Sequence, residues 1–390
     1  SNQWKQTQLG DICEIVLGQS PSSDTYNLDR FGLPFFQGKS EFGSKYAQAK
    51  TWCSDPQKTA KKDDILISVR APVGESNLAP ENCCIGRGLA ALRADQENLL
   101  QEFLWHQIQF KKGDLQGISQ GSTFDAISGK DLSELEVAIP PLPEQKKIAE
   151  ILSGFDTAIT LLGKKISKLN LIKLSVSQKE FVADAYLNSE TDGGEISSQK
   201  KTLREVADVI DCKHRTPAYT SKGFPVVRPR DVKESGINFN QCIKTSADEL
   251  DSLNEGINPR VNDIVYSRNA TLGVGALIER DATFAIGQDV CILRPKTIHS
   301  KYFYYQLNSA SFFRQVETLL SGSTFKRINL GAIRELQVIT PETSEQIRVA
   351  NSLQFIDDSI ASLQKCREKY TQMKVSLAFD LLSGRKRVSV

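Results

Sequence analysis

The sequence predicts an α+β chain: two similar globular α/β halves, separated and joined by two long antiparallel coiled-coil helices in a pseudo-twofold arrangement. Three observations predict this. A segment is written twice, a long proline-free apolar periodicity follows each copy, and short β-type runs precede each copy.

The repeat runs without a gap at an offset of 201 residues, Gly121 to Gly322. Gly121-Ser122-Thr123-Phe124 meets Gly322-Ser323-Thr324-Phe325, Pro140 meets Pro341, Glu144-Gln145 meets Glu345-Gln346, and Asp156 meets Asp357. Looser matches extend upstream: 63–75 resembles 262–275, and 83–93 resembles 284–294. A period this long lies outside solenoid repeats and marks a duplicated domain. Each half contains short runs rich in β-branched residues, "DDILISV", "AALRA" and "LEVAI" in the first, "NDIVYSR", "VCILRP" and "LQVIT" in the second. Gly, Pro, Asn and Asp punctuate them, and one helical stretch sits among them near 100–111 and again near 300–317.

After Pro140 the apolar positions advance by four and three: Ile148, Leu152, Phe155, Ile159, Leu162, Ile166, Leu169. The second copy gives Val349, Leu353, Ile356, Ile360, Leu363, then Arg367, Tyr370, and later Leu377 and Leu381. That spacing is a heptad seam. Pro143 and Glu144 suit the first turn of the first helix, and Thr343 with Gln346 fits a capping box for the second. A helix of about 44 residues spans ~65 Å, so it must project from a half of ~140 residues with a radius of gyration near ~14 Å. The division predicted is 1–143 (first globular half), 144–187 (first long helix), 188–201 (polar linker), 202–341 (second half) and 342–384 (second long helix).

Composition sets further bounds. The chain is 39% hydrophobic and 25% charged with a net charge of +2, so neither a membrane span nor an overall basic protein is signalled. Eight scattered Cys with no C-x-x-C and no leader pattern in Ser1-Asn2-Gln3 suggest a reducing cytoplasm and no metal site. The three His (His106, His214, His299) lack ligand spacing. "GLPFFQGKS" has its first Gly one position too early for a phosphate loop, and "GVGALI" lacks the third Gly of a dinucleotide fingerprint. No nucleophile, acid and base converge, so a non-catalytic chain is expected.

Two diverged heads held apart by rods suit a linear polymer carrying two different marks, and duplex DNA is the natural case. At this point the residues are similar to a known family. Ile139-Pro140-Pro141-Leu142-Pro143-Glu144-Gln145, followed by Ile148-Ala149-Glu150-Ile151-Leu152, the Gly-Ser-Thr before a strand, and the double occurrence resemble the specificity subunits of type I restriction–modification systems. The second copy departs from the proline pattern, with Glu342-Thr343-Ser344 in place of Pro141-Leu142-Pro143. The resemblance implies that each half is a target recognition domain reading one part of a split, asymmetric DNA site. It implies that the helices set the unread spacer and dock two modification (methyltransferase) subunits. S-adenosylmethionine, ATP and Mg²⁺ would belong to the modification and restriction subunits and not to this chain. The specificity chain of another multisubunit restriction enzyme, and a coiled-coil scaffold with protein-binding heads, are the alternatives.

Arg and Lys contact phosphate or guanine, Asn and Gln pair with adenine, and Ser or Thr serve either. Candidate DNA-binding residues in the first half are Gln37, Lys39, Ser40, Arg70, Arg87, Ser122 and Thr123. In the second half they are Lys213, His214, Arg215, Thr216, Arg228, Arg230, Arg268, Asn269, Gln288, Ser323, Thr324, Lys326 and Arg327. Glu144, Gln145, Glu345, Gln346 and the outward helix faces are the candidates for partner docking, and Arg385-Lys386-Arg387 reads as a solvated tail.

Overall fold

The computed structural model describes residues 4–120, 126–181, 199–320 and 327–389. The chain forms two compact units, one of residues 1–163 with 365–390, the other of residues 164–364. Each unit therefore takes part of both long helices, which run Leu142–Phe181 and Thr343–Leu382.

In the first unit the strands Cys13–Leu17, Leu89–Ala94, Ile65–Ser68 and Ser76–Leu78 form an antiparallel sheet in that order. A second sheet contains the parallel pair Leu33–Phe36 and Cys83–Ile85, with Phe36 opposite Ile85. A two-stranded ladder joins Lys5–Gln8 to Glu136–Ile139. The second unit repeats the plan. Its four-stranded sheet is Ala207–Asp211, Val290–Pro295, Ile264–Ser267 and Gly275–Leu277. Its parallel pair is Phe224–Val227 with Ala285–Ile286, Val227 opposite Ile286, and its ladder is Gln199–Thr202 with Gln337–Thr340. The runs read as strands are strands. The helical stretch near 300–317 is two helices, Ser300–Leu307 and Ala310–Leu320, broken where Ser309 Oγ accepts from Phe312 N.

The duplication extends to buried chemistry. Arg93 clasps Asp64 through Nε and one terminal nitrogen at 2.8 and 2.6 Å, and Arg294 clasps Asp263 at 2.9 and 2.8 Å. Both aspartates are buried, so the fork geometry of guanidinium on carboxylate satisfies charges that would otherwise be costly there.

The start of each long helix does not project. Ile148, Ala149 and Leu152 lie in the core of the first unit, and Val349, Ala350 and Leu353 in that of the second. The far end of the opposite helix closes each core: Leu381 and Leu382 in the first unit, Phe181 in the second. Only then do the helices pack on one another, antiparallel in both units. Phe155 meets Tyr370 in the first unit, and Ile166 packs with Ile356 and Ile360 in the second. Lys173 interrupts the apolar periodicity because it pairs with Asp357 at 2.8 Å in the second unit. In the first unit its counterpart Lys374 pairs with Asp156.

His106, buried in the first unit, faces Ser153 Oγ at 3.0 Å and lies 4.0 Å from Asp156. The corresponding residue of the second unit, Tyr305, donates its hydroxyl to Asp357 at 3.0 Å. Burial, helped by Lys374, pushes the imidazole down to about 4, and Asp156 only partly opposes this. Since the unfolded chain takes up this proton near pH 6.5 and the folded chain only near 4, the unfolded state binds more protons between them. The histidine's contribution is complete above pH 6.5 and is lost as pH falls toward 4, by on the order of 3 kcal/mol. His106→Tyr is expected to flatten this acid limb, which unfolding at a series of pH values measures. An unchanged slope would remove His106 as its source.

Candidate nucleic-acid interface

In both units the strand ends that carry the candidate residues are tied together by the same backbone hydrogen bonds. Gly86 N donates to Phe36 O and Gly287 N to Val227 O, at 2.8 and 2.7 Å. Val69 N donates to Gly88 O and Arg268 N to Asp289 O, at 3.0 and 2.9 Å. Ile127 N donates to Val69 O and Ile328 N to Arg268 O, at 2.9 and 3.0 Å. These bonds make Gln37 the counterpart of Arg228, Arg87 that of Gln288, and Arg70 that of Asn269. The approach is close: a Cβ on Gly88 would stand 2.2 Å from the Gln37 carbonyl oxygen.

In the second unit the arrangement encloses a concavity of about 370 Å³. Thr216, Arg228, Arg230, Asn269 and Gln288 line it, with Pro217, Tyr219, Pro229, Ala270 and Asp289. Five candidates from four separated segments thus meet in one place. Arg228 Nε is braced on Asp231 at 3.2 Å, which leaves its terminal nitrogens for a ligand. Asn269 donates to Asp289 Oδ2 at 3.1 Å and accepts from Ala270 N at 2.8 Å. Arg327 pairs with Asp289 through Nε at 2.6 Å, on the edge of the same site. Tyr219, 51% exposed, was missed by sequence reasoning; an aromatic residue inside a basic loop was the available signal.

The remaining candidates divide. Lys213 pairs with Glu255, His214 with Asp211 at 2.6 Å, and Arg215 with Glu249, so these side chains are engaged on their own unit. In the first unit Lys39 pairs with Glu75 at 2.7 Å, and Ser40 donates to Glu41. Gln37, Arg70 and Arg87 are exposed. Ser122, Thr123, Ser323, Thr324 and Lys326 lie outside the described residues.

Arg268 is a correction. Its side chain is 4% exposed, held by Asp211 Oδ1 at 2.6 Å and Ile328 O at 3.2 Å. It occupies the place of the buried Val69, not that of the exposed Arg70. Its guanidinium positions the turn after Ser267 from inside. Asp211, Cys212 and His214 come within 4.8 Å of one another, but Arg268 and His214 already engage Asp211, and burial pushes the Cys212 thiol up, away from a thiolate.

Three of the docking candidates, Glu144, Gln145 and Gln346, are corrected likewise, being buried within their own unit, whereas Glu345 is half-buried. Gln145 is fully buried: Oε1 accepts from Leu100 N at 2.8 Å, and Nε2 donates to Asn98 O and Pro140 O at 2.7 and 2.9 Å. Gln346 does the same work in the second unit, accepting from His299 N and donating to Pro341 O, both at 2.8 Å, in place of a capping box. Glu144 is buried against Arg387 and Trp4, and Glu345 holds Arg348. The Arg387 guanidinium holds the Glu144 carboxyl below its usual range, and the basic tail is thereby attached.

A family model described as type I restriction modification DNA specificity domain matches residues 1–171 and again 196–370. Among named relatives, the MjaX type I restriction enzyme specificity subunit of Methanocaldococcus jannaschii is 38% identical over 44% of this chain and 41% of its own length. The MjaVIII type I restriction enzyme specificity subunit of the same organism is 24% identical over 99% of this chain and 93% of its own. Among solved structures, a type I restriction–modification S subunit from M. genitalium superposes with a TM-score of 0.65 at 17% identity, covering 98% of this chain and 97% of that one.

Proposed function

The chain belongs to the family of type I restriction modification DNA specificity domains, with one such domain in each half, and we propose that it is the sequence-reading, non-catalytic subunit of a cytoplasmic complex. Each half reads one part of an asymmetric, two-part DNA target. The long helices set the unread gap and dock two modification subunits, which bind S-adenosylmethionine and methylate adenine. Restriction subunits using ATP and Mg²⁺ complete the assembly. The outward helix faces support the docking reading: Leu161 and Val375 in one unit, and Leu171, Leu174 and Phe355 in the other, are exposed apolar side chains on the solvent-facing sides of the helices.

One observation carries the DNA reading. Thr216, Arg228, Arg230, Asn269 and Gln288, distant in sequence, line one concavity whose chemistry is that of phosphate and base-edge readers. Mapping methylated adenines in cells with this chain and its modification partners, and in cells lacking this chain alone, is the test. One asymmetric two-part motif with a constant gap is expected only when the chain is present. Methylation that does not depend on the chain would reject the proposal.

A further inference from the structure

We infer that the two recognition domains read guanine and adenine with one reciprocal Arg–Gln pair, Gln37 with Arg87 in the first and Arg228 with Gln288 in the second, so that the two base preferences are exchanged between the halves of the target. This rests on the DNA-reading function proposed above and assigns bases to its sites.

The geometry is the same in both units. Each contains a parallel strand pair, and the residue after each pair's first strand is Gln37 or Arg228. The second strand runs into Gly86 or Gly287, whose N–H bonds back to the residue ending the first strand, and the next residue is Arg87 or Gln288. Two side chains therefore leave neighbouring strand ends from positions locked by equivalent bonds. In the second unit both line one concavity, and the Arg228 stem lies against Gly287, where an added Cβ would stand 3.3 Å from Arg228 Cγ.

The duplication preserved the frame and exchanged the chemistry. A guanidinium offers two parallel donors, which match the O6 and N7 acceptors of guanine. A carboxamide offers one donor and one acceptor, which match N7 and the N6 amino group of adenine. Neither can reproduce the other's pattern. Placing amide then guanidinium in one unit, and guanidinium then amide in the other, makes one frame read two different base pairs. The third position shows the same exchange, Arg70 against Asn269, but Asn269 is partly engaged by its own turn.

The experiment uses the chain assembled with its modification subunits, carrying Gln37→Arg together with Arg87→Gln. Both side chains are exposed, so the exchange does not disturb a core. The two-part methylation motif is read by sequencing. In one part, a guanine and an adenine are expected to exchange places, with the other part and the gap unchanged. Arg228→Gln with Gln288→Arg is expected to do the same in the other part. A variant complex that methylates the original motif overturns the inference while leaving the two-part reading intact. A wild-type complex without a two-part motif overturns the reading itself. Should the variants fail to assemble, wild-type binding to targets carrying 7-deazaguanine decides. Removing the N7 acceptor is expected to weaken binding about ten-fold at one guanine in each part, and equal binding to all substituted targets overturns the assignment.

Discussion

Arg268→Val is expected to destabilise the second unit by about 3 kcal/mol, and adding Asp211→Leu is expected to recover most of that loss. The first unit is the reference for the second. Asp211 faces Cys291 across the sheet as Leu17 faces Ala90, and Arg268 stands where Val69 stands. Two apolar residues, the exposed Leu17 and the buried Val69, thus stand in one unit where an ion pair stands in the other. Removing one member of a buried pair leaves the other's charge without its partner, at about 3–5 kcal/mol, whereas replacing both by apolar residues is often neutral or better. The lower end applies because Asp211 is 25% exposed and keeps His214. Denaturant unfolding of the single and double variants gives the coupling directly. A base contact would behave otherwise: binding would weaken by ~1–3 kcal/mol with unfolding unchanged. That outcome would return Arg268 to the DNA-facing set.

The misplacement of Arg268 shows what the sequence could not resolve. "SVRA" and "SRNA" each put an Arg just after a strand, and the pattern predicts both to face outward. Side chains alternate across a strand, so a shift of one residue separates interior from surface. The shared Ser68 and Ser267, each donating to the carbonyl two residues on, fix the register that the Arg match disguised. The duplication, the six strands marked by the short apolar runs and both helices were legible because they rest on periodicity and on repetition. The heptads were legible too, but not their partners. Ile148 and Val349 have the spacing of a coiled-coil seam, yet they pack into globular cores. Spacing fixes which face of a helix is apolar, and tertiary contacts decide what covers it. The Arg228 and Gln288 site was found from loop chemistry, whereas Tyr219 and Asp289 entered only through the path of the chain.

Gln145→Ala is expected to cost about 3–4 kcal/mol, and Gln346→Ala about 2–3 kcal/mol, because each strands one buried proline carbonyl, Pro140 O or Pro341 O, together with part-buried backbone groups of the adjoining loop. Gln145 serves Leu100 N, Asn98 O and Pro140 O, while Gln346 serves His299 N and Pro341 O, so the first loss should be the larger. Both residues sit in the first turn of a long helix and bind the loop leading to the helix at Gln101 or Ser300. They fix the joint between helix and globular core, which is a structural reason for the glutamine to recur in both copies. Gln145→Glu separates shape from hydrogen bonding. It keeps the volume but turns a donor into an acceptor facing Asn98 O and Pro140 O. Its penalty is expected to be greatest at neutral pH and to shrink as pH falls, since the protonated acid can donate where the carboxylate cannot. Unfolding of the chain alone, compared with co-purification of modification subunits, distinguishes the roles. A docking residue would leave unfolding untouched and abolish association. Gln145 is expected to lower stability first, with association failing only where the joint has already come apart.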